Sequence, residues 1–133
     1  MELPQIASRV FKLAAISNFA VTLPVLVAYN HVIAALPYHP PNYPFLVWIW
    51  SGMAFLWGVM FWEISRDMKA KYALIKYTYL EKLVTSVSVS AGFAAGQVPL
   101  SFFVLILFTD MIWIPIFATI HLMARKSFLE QKA

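Results

Sequence analysis

A chain of 133 residues has room for one domain, but 62% apolar residues against only 12% charged ones is far from the balance of a soluble domain. The absence of cysteine excludes disulfides, thiolate metal sites, cysteine nucleophiles and thioether-attached haem. The net charge of +4 sits at the ends of apolar segments, which directs it toward anionic lipid headgroups and away from nucleic acid, for which no motif is present.

Four apolar stretches, each near the ~20 residues that a bilayer-crossing helix needs, run over residues 10–29, 44–64, 79–96 and 99–123. The first follows Arg9 and Lys12 and to that extent looks like a secretory signal; the chain starts at Met1, and the expectation is a retained span. Within it Asn18 and Thr22 stand one turn apart, and Pro24 predicts a kink. The segment NHVIAALPYHPPNYP carries Pro37, Pro40, Pro41 and Pro44, admits neither a helix nor a central strand, and reads as an ordered external loop. Its His31 and His39 have no carboxylate nearby and share no helix face, so no metal site is expected.

The second span holds Trp48, Trp50, Trp57 and Trp62 and ends at Glu63. The basic stretch SRDMKAKYALIKYTYLEK follows, read as an interfacial helical segment with Tyr72, Tyr77 and Tyr79 at headgroup depth. The third span carries Thr85, Ser88, Gly92 and Gly96, and GFAAG is a GxxxG pattern suited to close helix packing inside the bundle or to dimerisation. GQVP then makes a tight turn into the fourth span, where Pro115 predicts a second kink and frees the carbonyl of Met111, next to Asp110.

Arg9 and Lys12 precede span one; Arg66, Lys69, Lys71, Lys76 and Lys82 lie between two and three or just inside three; Arg125, Lys126 and Lys132 follow span four. All ten thus fall on one side of an alternating topology, which predicts an all-α, four-helix transmembrane bundle with both termini cytoplasmic. No internal repeat is visible.

Asp110 is the residue most in need of an explanation. It lies about eleven residues into span four, ~16 Å deep at 1.5 Å per residue, near the bilayer midplane. An uncompensated carboxylate there costs at least ~2.5–3.5 kcal/mol, so it should face the bundle interior and have a partner or a proton. Measured from the GQVP turn, Lys82 falls ~4–5 Å from the level of Asp110, within reach of a lysine stem. The alternative is Lys82 snorkelling to the headgroups. Glu81 adjoins it, and Thr85, Ser86 and Ser88 are neutral hydrogen-bonding alternatives.

His121 lies eleven residues past Asp110, almost three full turns, so that Asp110, Ile114, Phe117 and His121 form one stripe. If Glu63 meets His121 at a similar depth, the two make an acid–base pair near the cytoplasm; otherwise each is an interfacial polar residue at a helix end. Asp110, Glu63 and His121 are therefore the candidate acid–base residues. Trp57, Trp62, Trp113 and Phe117, with Asn18 and Thr22 as polar contacts, are candidates for lining a hydrophobic ligand cavity or, alternatively, for lipid-facing bulk.

From GVMFWEISRD through the EK of span three to FTDMIWIPIF, about 70 residues, the chain resembles small bacterial four-helix inner-membrane proteins of the broad DoxX-like type. The resemblance implies a compact four-helix bundle, in some cases a subunit of a larger membrane assembly, and carries no functional residue across. Three functions follow as expectations. One is binding or processing of a hydrophobic small molecule such as an isoprenoid, sterol-like lipid or quinone, as an acid–base isomerase or cyclase. The second is service as an accessory subunit among partner helices, and the third is proton-coupled transport as a homodimer. No dinucleotide fingerprint, phosphate loop, metal quartet or nucleophile triad is present, so no cofactor is expected.

Overall fold

The computed structural model describes residues 3–36 and 42–130. His39 and the Pro37, Pro40 and Pro41 of the expected external loop lie outside the described residues, as does Lys132. The elements are α1 (Leu3–Ala35), α2 (Pro44–Arg66), α3 (Tyr72–Ala94), α4 (Leu100–Ile106), a π-helical turn (Leu107–Met111) and α5 (Trp113–Glu130). There is no strand among the described residues.

Three stretches are long and apolar enough to cross a bilayer: Pro4–Ala35, Pro44–Arg66 and Leu100–Ser127, the last joining α4, the π turn and α5. This is the mark of a multi-pass membrane protein. α3 is not among them, because Glu81, Lys82 and its serines and threonines dilute its apolar residues. It also begins at Tyr72 rather than near residue 79. The tyrosine-rich segment expected as a separate interfacial helix is the start of α3 itself, since no proline or glycine interrupts the chain between Tyr72 and Gly92.

Polar groups are drawn into the interior beside the apolar core, and many large apolar side chains face outward. Thr22, Ser51, Ser65, Thr78, Lys82, Ser86 and Asp110 are buried, while Val27, Leu56, Val84, Phe108 and Leu122 are exposed. A surface so apolar suits hydrocarbon, which takes up leucine and phenylalanine readily and leaves polar groups to find partners inside the protein.

The chain forms two compact units, one of Ser8–Arg66 and the other of the residues from Asp67 onward with those up to Ala7. In the first, α1 and α2 run antiparallel. Ser8 Oγ donates to the carbonyl of Ser65 at 2.6 Å, and Asn18 Nδ2 donates to the carbonyl of Ala54 at 2.9 Å. Phe11 meets Phe61, Phe19 meets Phe55 and Tyr29 meets Trp48, each pair keeping the same register. The two helices approach closely at Gly58, where a Cβ would stand 2.7 Å from the Phe19 ring. The break in α1 comes at Ala28 (φ −132°, ψ 41°), one turn after Pro24.

In the second unit α3 turns back on the Leu100–Ser127 helix through a hairpin. The amide of Gly96 donates to the carbonyl of Phe93 and that of Gln97 to the carbonyl of Gly92, the paired bonds of a Schellman cap. Gly96 takes φ +70°, a conformation that favours glycine. Val98 folds back until its Cγ2 lies 2.8 Å from where a Cβ of Gly92 would be. Both glycines of GFAAG therefore serve this turn, Gly96 through its backbone and Gly92 by admitting Val98. Phe93 stacks on Phe103 across the hairpin at 4.5 Å.

Candidate functional site

α3 presents a buried stripe of Ile75, Thr78, Lys82 and Ser86, at helical intervals of three and four. Opposite it the Leu100–Ser127 helix loses its α geometry: the amide of Ile112 bonds to the carbonyl of Leu107, five residues back, at 3.3 Å. Pro115 explains why the defect falls here. It offers no amide to the carbonyl of Met111, and its ring crowds that carbonyl, so the turn preceding it widens. Thr109 adds a second distortion, its hydroxyl donating to the carbonyl of Leu105 at 3.0 Å. The wide turn carries Asp110, which is buried.

Lys82 and Asp110 are ion-paired through Nζ and Oδ1. Lys82 Nζ also lies 3.4 Å from Oε2 of Glu81, which has no hydrogen-bond partner among the described residues. The centre thus holds one ammonium between two carboxylates, with side chains 5%, 8% and 15% exposed for Lys82, Asp110 and Glu81. Its formal charge is −1, and a single proton brings it to neutrality. One turn further along α3, the buried hydroxyl of Ser86 has no hydrogen-bond partner among the described residues. Thr85 is turned to its own helix, donating to the carbonyl of Glu81 at 3.3 Å, and Ser88 is exposed.

His121 occupies a second polar locus of the same unit. Its Nδ1 lies 3.1 Å from the hydroxyl of Tyr79, and its ring stands 5.3 Å from that of Tyr72 and 5.7 Å from that of Tyr79. Tyr79 and Lys82 are three residues apart on α3, whereas their partners His121 and Asp110 are eleven apart on the facing helix. Their side chains therefore diverge toward opposite ends. Between the two loci lie Trp113 and Phe117, stacked at 5.4 Å, with Phe117 fully buried.

The remaining candidates belong to the other unit. Glu63 faces Arg66, one turn on, at 3.6 Å, with both side chains well exposed. Trp57 packs toward Phe61 at 6.3 Å, and Trp62 is 37% exposed with the Lys12 ammonium 5.3 Å from its ring. Asn18 is committed to Ala54, and the Thr22 hydroxyl donates to the carbonyl of Asn18 at 2.7 Å. Sequence reasoning assigned Tyr72 and Tyr79 to a headgroup belt and so missed them as partners of His121; their seven-residue spacing, two turns of one face, was the available signal. No protein-family model, curated protein or solved structure matches this chain.

Proposed function

We propose that the protein holds a hydrophobic small molecule in the membrane and exchanges a proton with it, or on its behalf, through the Glu81–Lys82–Asp110 centre. The observation that carries this reading is the charge count. A buried ion pair alone is a structural solution to burying two charges, but the second carboxylate leaves the centre one proton short of neutrality in surroundings where a net charge is costly. A group that gains and loses one proton among helices this apolar is equipped for acid–base chemistry on a lipophile, such as isomerisation or cyclisation. In this reading α3 is the third of four spans and the basic residues put both termini in the cytoplasm. The host membrane is then of the bacterial inner-membrane kind implied by the resemblance.

The π turn supports the same reading, because such turns aim a side chain that a regular helix would direct elsewhere. The test extracts purified protein with organic solvent and identifies the retained lipophile by mass spectrometry. Rebinding of that lipophile to stripped protein is then followed in weakly buffered solution with a pH indicator. Wild-type protein should exchange about one proton per molecule bound, and Asp110→Asn should exchange none while keeping its helix content. A preparation that retains no lipophile, or an Asp110→Asn variant that exchanges protons as wild type does, refutes the proposal.

A further inference from the structure

His121 and the residues around it lie outside the acid–base centre. On α3, Tyr72, Lys76 and Tyr79 follow one another at intervals of four and three and share a face, and on α5 His121 and Arg125 are one turn apart. The two faces meet, since both tyrosines contact the imidazole. Lys76 and Arg125 are exposed, and both are near enough for their charges to act on His121. No carboxylate is paired with either among the described residues; the Lys76 ammonium lies over the Tyr77 ring at 4.9 Å. The contact with Tyr79 occupies Nδ1 of His121 and leaves Nε2 for a ligand. Two cations, an imidazole and two phenols with no anion among them form the complement of a phosphate group.

We propose that this cluster binds the phosphate head of an amphiphile whose apolar chain lies on the outer apolar surface of the Leu100–Ser127 helix and extends toward the level of Asp110, ~16 Å away along the helix. The inference deepens the lipophile reading and rests on it: the hydrophobic molecule carries a phosphate, and the group that exchanges a proton lies well down its chain. A lipid source fits better than free phosphate because the helix that carries His121 and Arg125 exposes the apolar side chains Ile112, Leu122 and Met123.

Isothermal titration of purified protein in neutral detergent tests this, with dioctanoyl phosphatidic acid as probe and dioctanoylglycerol and inorganic phosphate for comparison. The phosphatidic acid should bind at least about tenfold more tightly than either. Lys76→Gln and Arg125→Gln should each weaken it about fivefold, and the double variant about thirtyfold. Lys126→Gln, on a different face of α5, should leave it unchanged, and circular dichroism should show every variant fully helical. Equal affinity for dioctanoylglycerol, equal affinity for inorganic phosphate, or full affinity in the double variant overturns the proposal. Asp110→Asn should keep headgroup affinity; if it does while the wild type exchanges no proton, the acid–base reading fails and the headgroup site stands.

Discussion

Removing the lysine should harm this protein more than removing its partner aspartate, and the asymmetry follows from the geometry of the centre. Lys82 serves two carboxylates, Asp110 directly and Glu81 at 3.4 Å, whereas among the described residues Asp110 is paired with Lys82 alone. At an effective dielectric constant of ~20 each attraction amounts to about 4 kcal/mol at 4 Å. Asp110→Asn forfeits one of these but also relieves the repulsion between the two carboxylates, leaving a Lys82–Glu81 pair of zero net charge. Lys82→Met forfeits both attractions and leaves two acids buried together, so that both must be neutralised. We expect a loss of ~3–5 kcal/mol for Lys82→Met, the usual cost of orphaning buried charge, and ~1–2 kcal/mol for Asp110→Asn. The Lys82→Met/Asp110→Asn double variant should be more stable than Lys82→Met alone, because one of the stranded acids is gone. Reversible unfolding in mixed detergent, read by circular dichroism, measures all three. Equal losses for the two single variants, or losses that simply add in the double, would refute the two-carboxylate account.

Three further outcomes follow from the packing. Gly96→Ala should destabilise by ~1–2 kcal/mol in the same assay, because a left-handed backbone is costly once a Cβ is present and the Schellman cap requires it at φ +70°. Asn18→Ala should cost ~0.6–1.7 kcal/mol, the range found for hydrogen bonds between membrane helices, through loss of the 2.9 Å bond to Ala54. Pro115→Ala restores an amide opposite the carbonyl of Met111, and the π turn should revert toward regular helix. Global stability should then hold or rise, while proton exchange falls at least about tenfold as Asp110 is re-aimed.

The helices were legible because hydrophobicity over ~20 residues is a strong signal and prolines and glycines mark where it stops. The extent of α3 was less so: its first turns are amphipathic, and amphipathic sequence suits an interfacial segment as well as the opening of a longer helix. The level of Lys82 with Asp110 was accessible because a four-residue turn fixes the register of the two helices it joins, and residues can be counted outward from it. The partner of His121 was hidden for a related reason. Counting outward puts Tyr79 within a turn of Lys82, and only the divergence of the two side chains along the helix axes brings Tyr79 to a residue eleven positions from Asp110. Rise per residue locates backbones, and long side chains can depart from that level by a full turn.

The π turn is the feature that hydropathy could not reveal and on which the centre most depends. Neither Asp110 nor Pro115 alone specifies it, since a proline can also produce a simple kink. The pairing makes it advantageous: a buried carboxylate must find its cation, Lys82 is fixed in register by the Gly96 hairpin, and the widened turn gives the helix freedom to bring Asp110 onto it. Pro115 lowers the cost of that widening by removing a hydrogen bond that regular helix would otherwise have kept. An acid, a proline five residues later and a lysine at the matching level across a tight hairpin therefore act together. The same reasoning explains how a helix containing Glu81 and Lys82 packs against one as apolar as Leu100–Ser127. Lys82 is held by a carboxylate from its own helix and by one from the facing helix, so the burial of this charge is a property of the pair of helices rather than of α3 by itself.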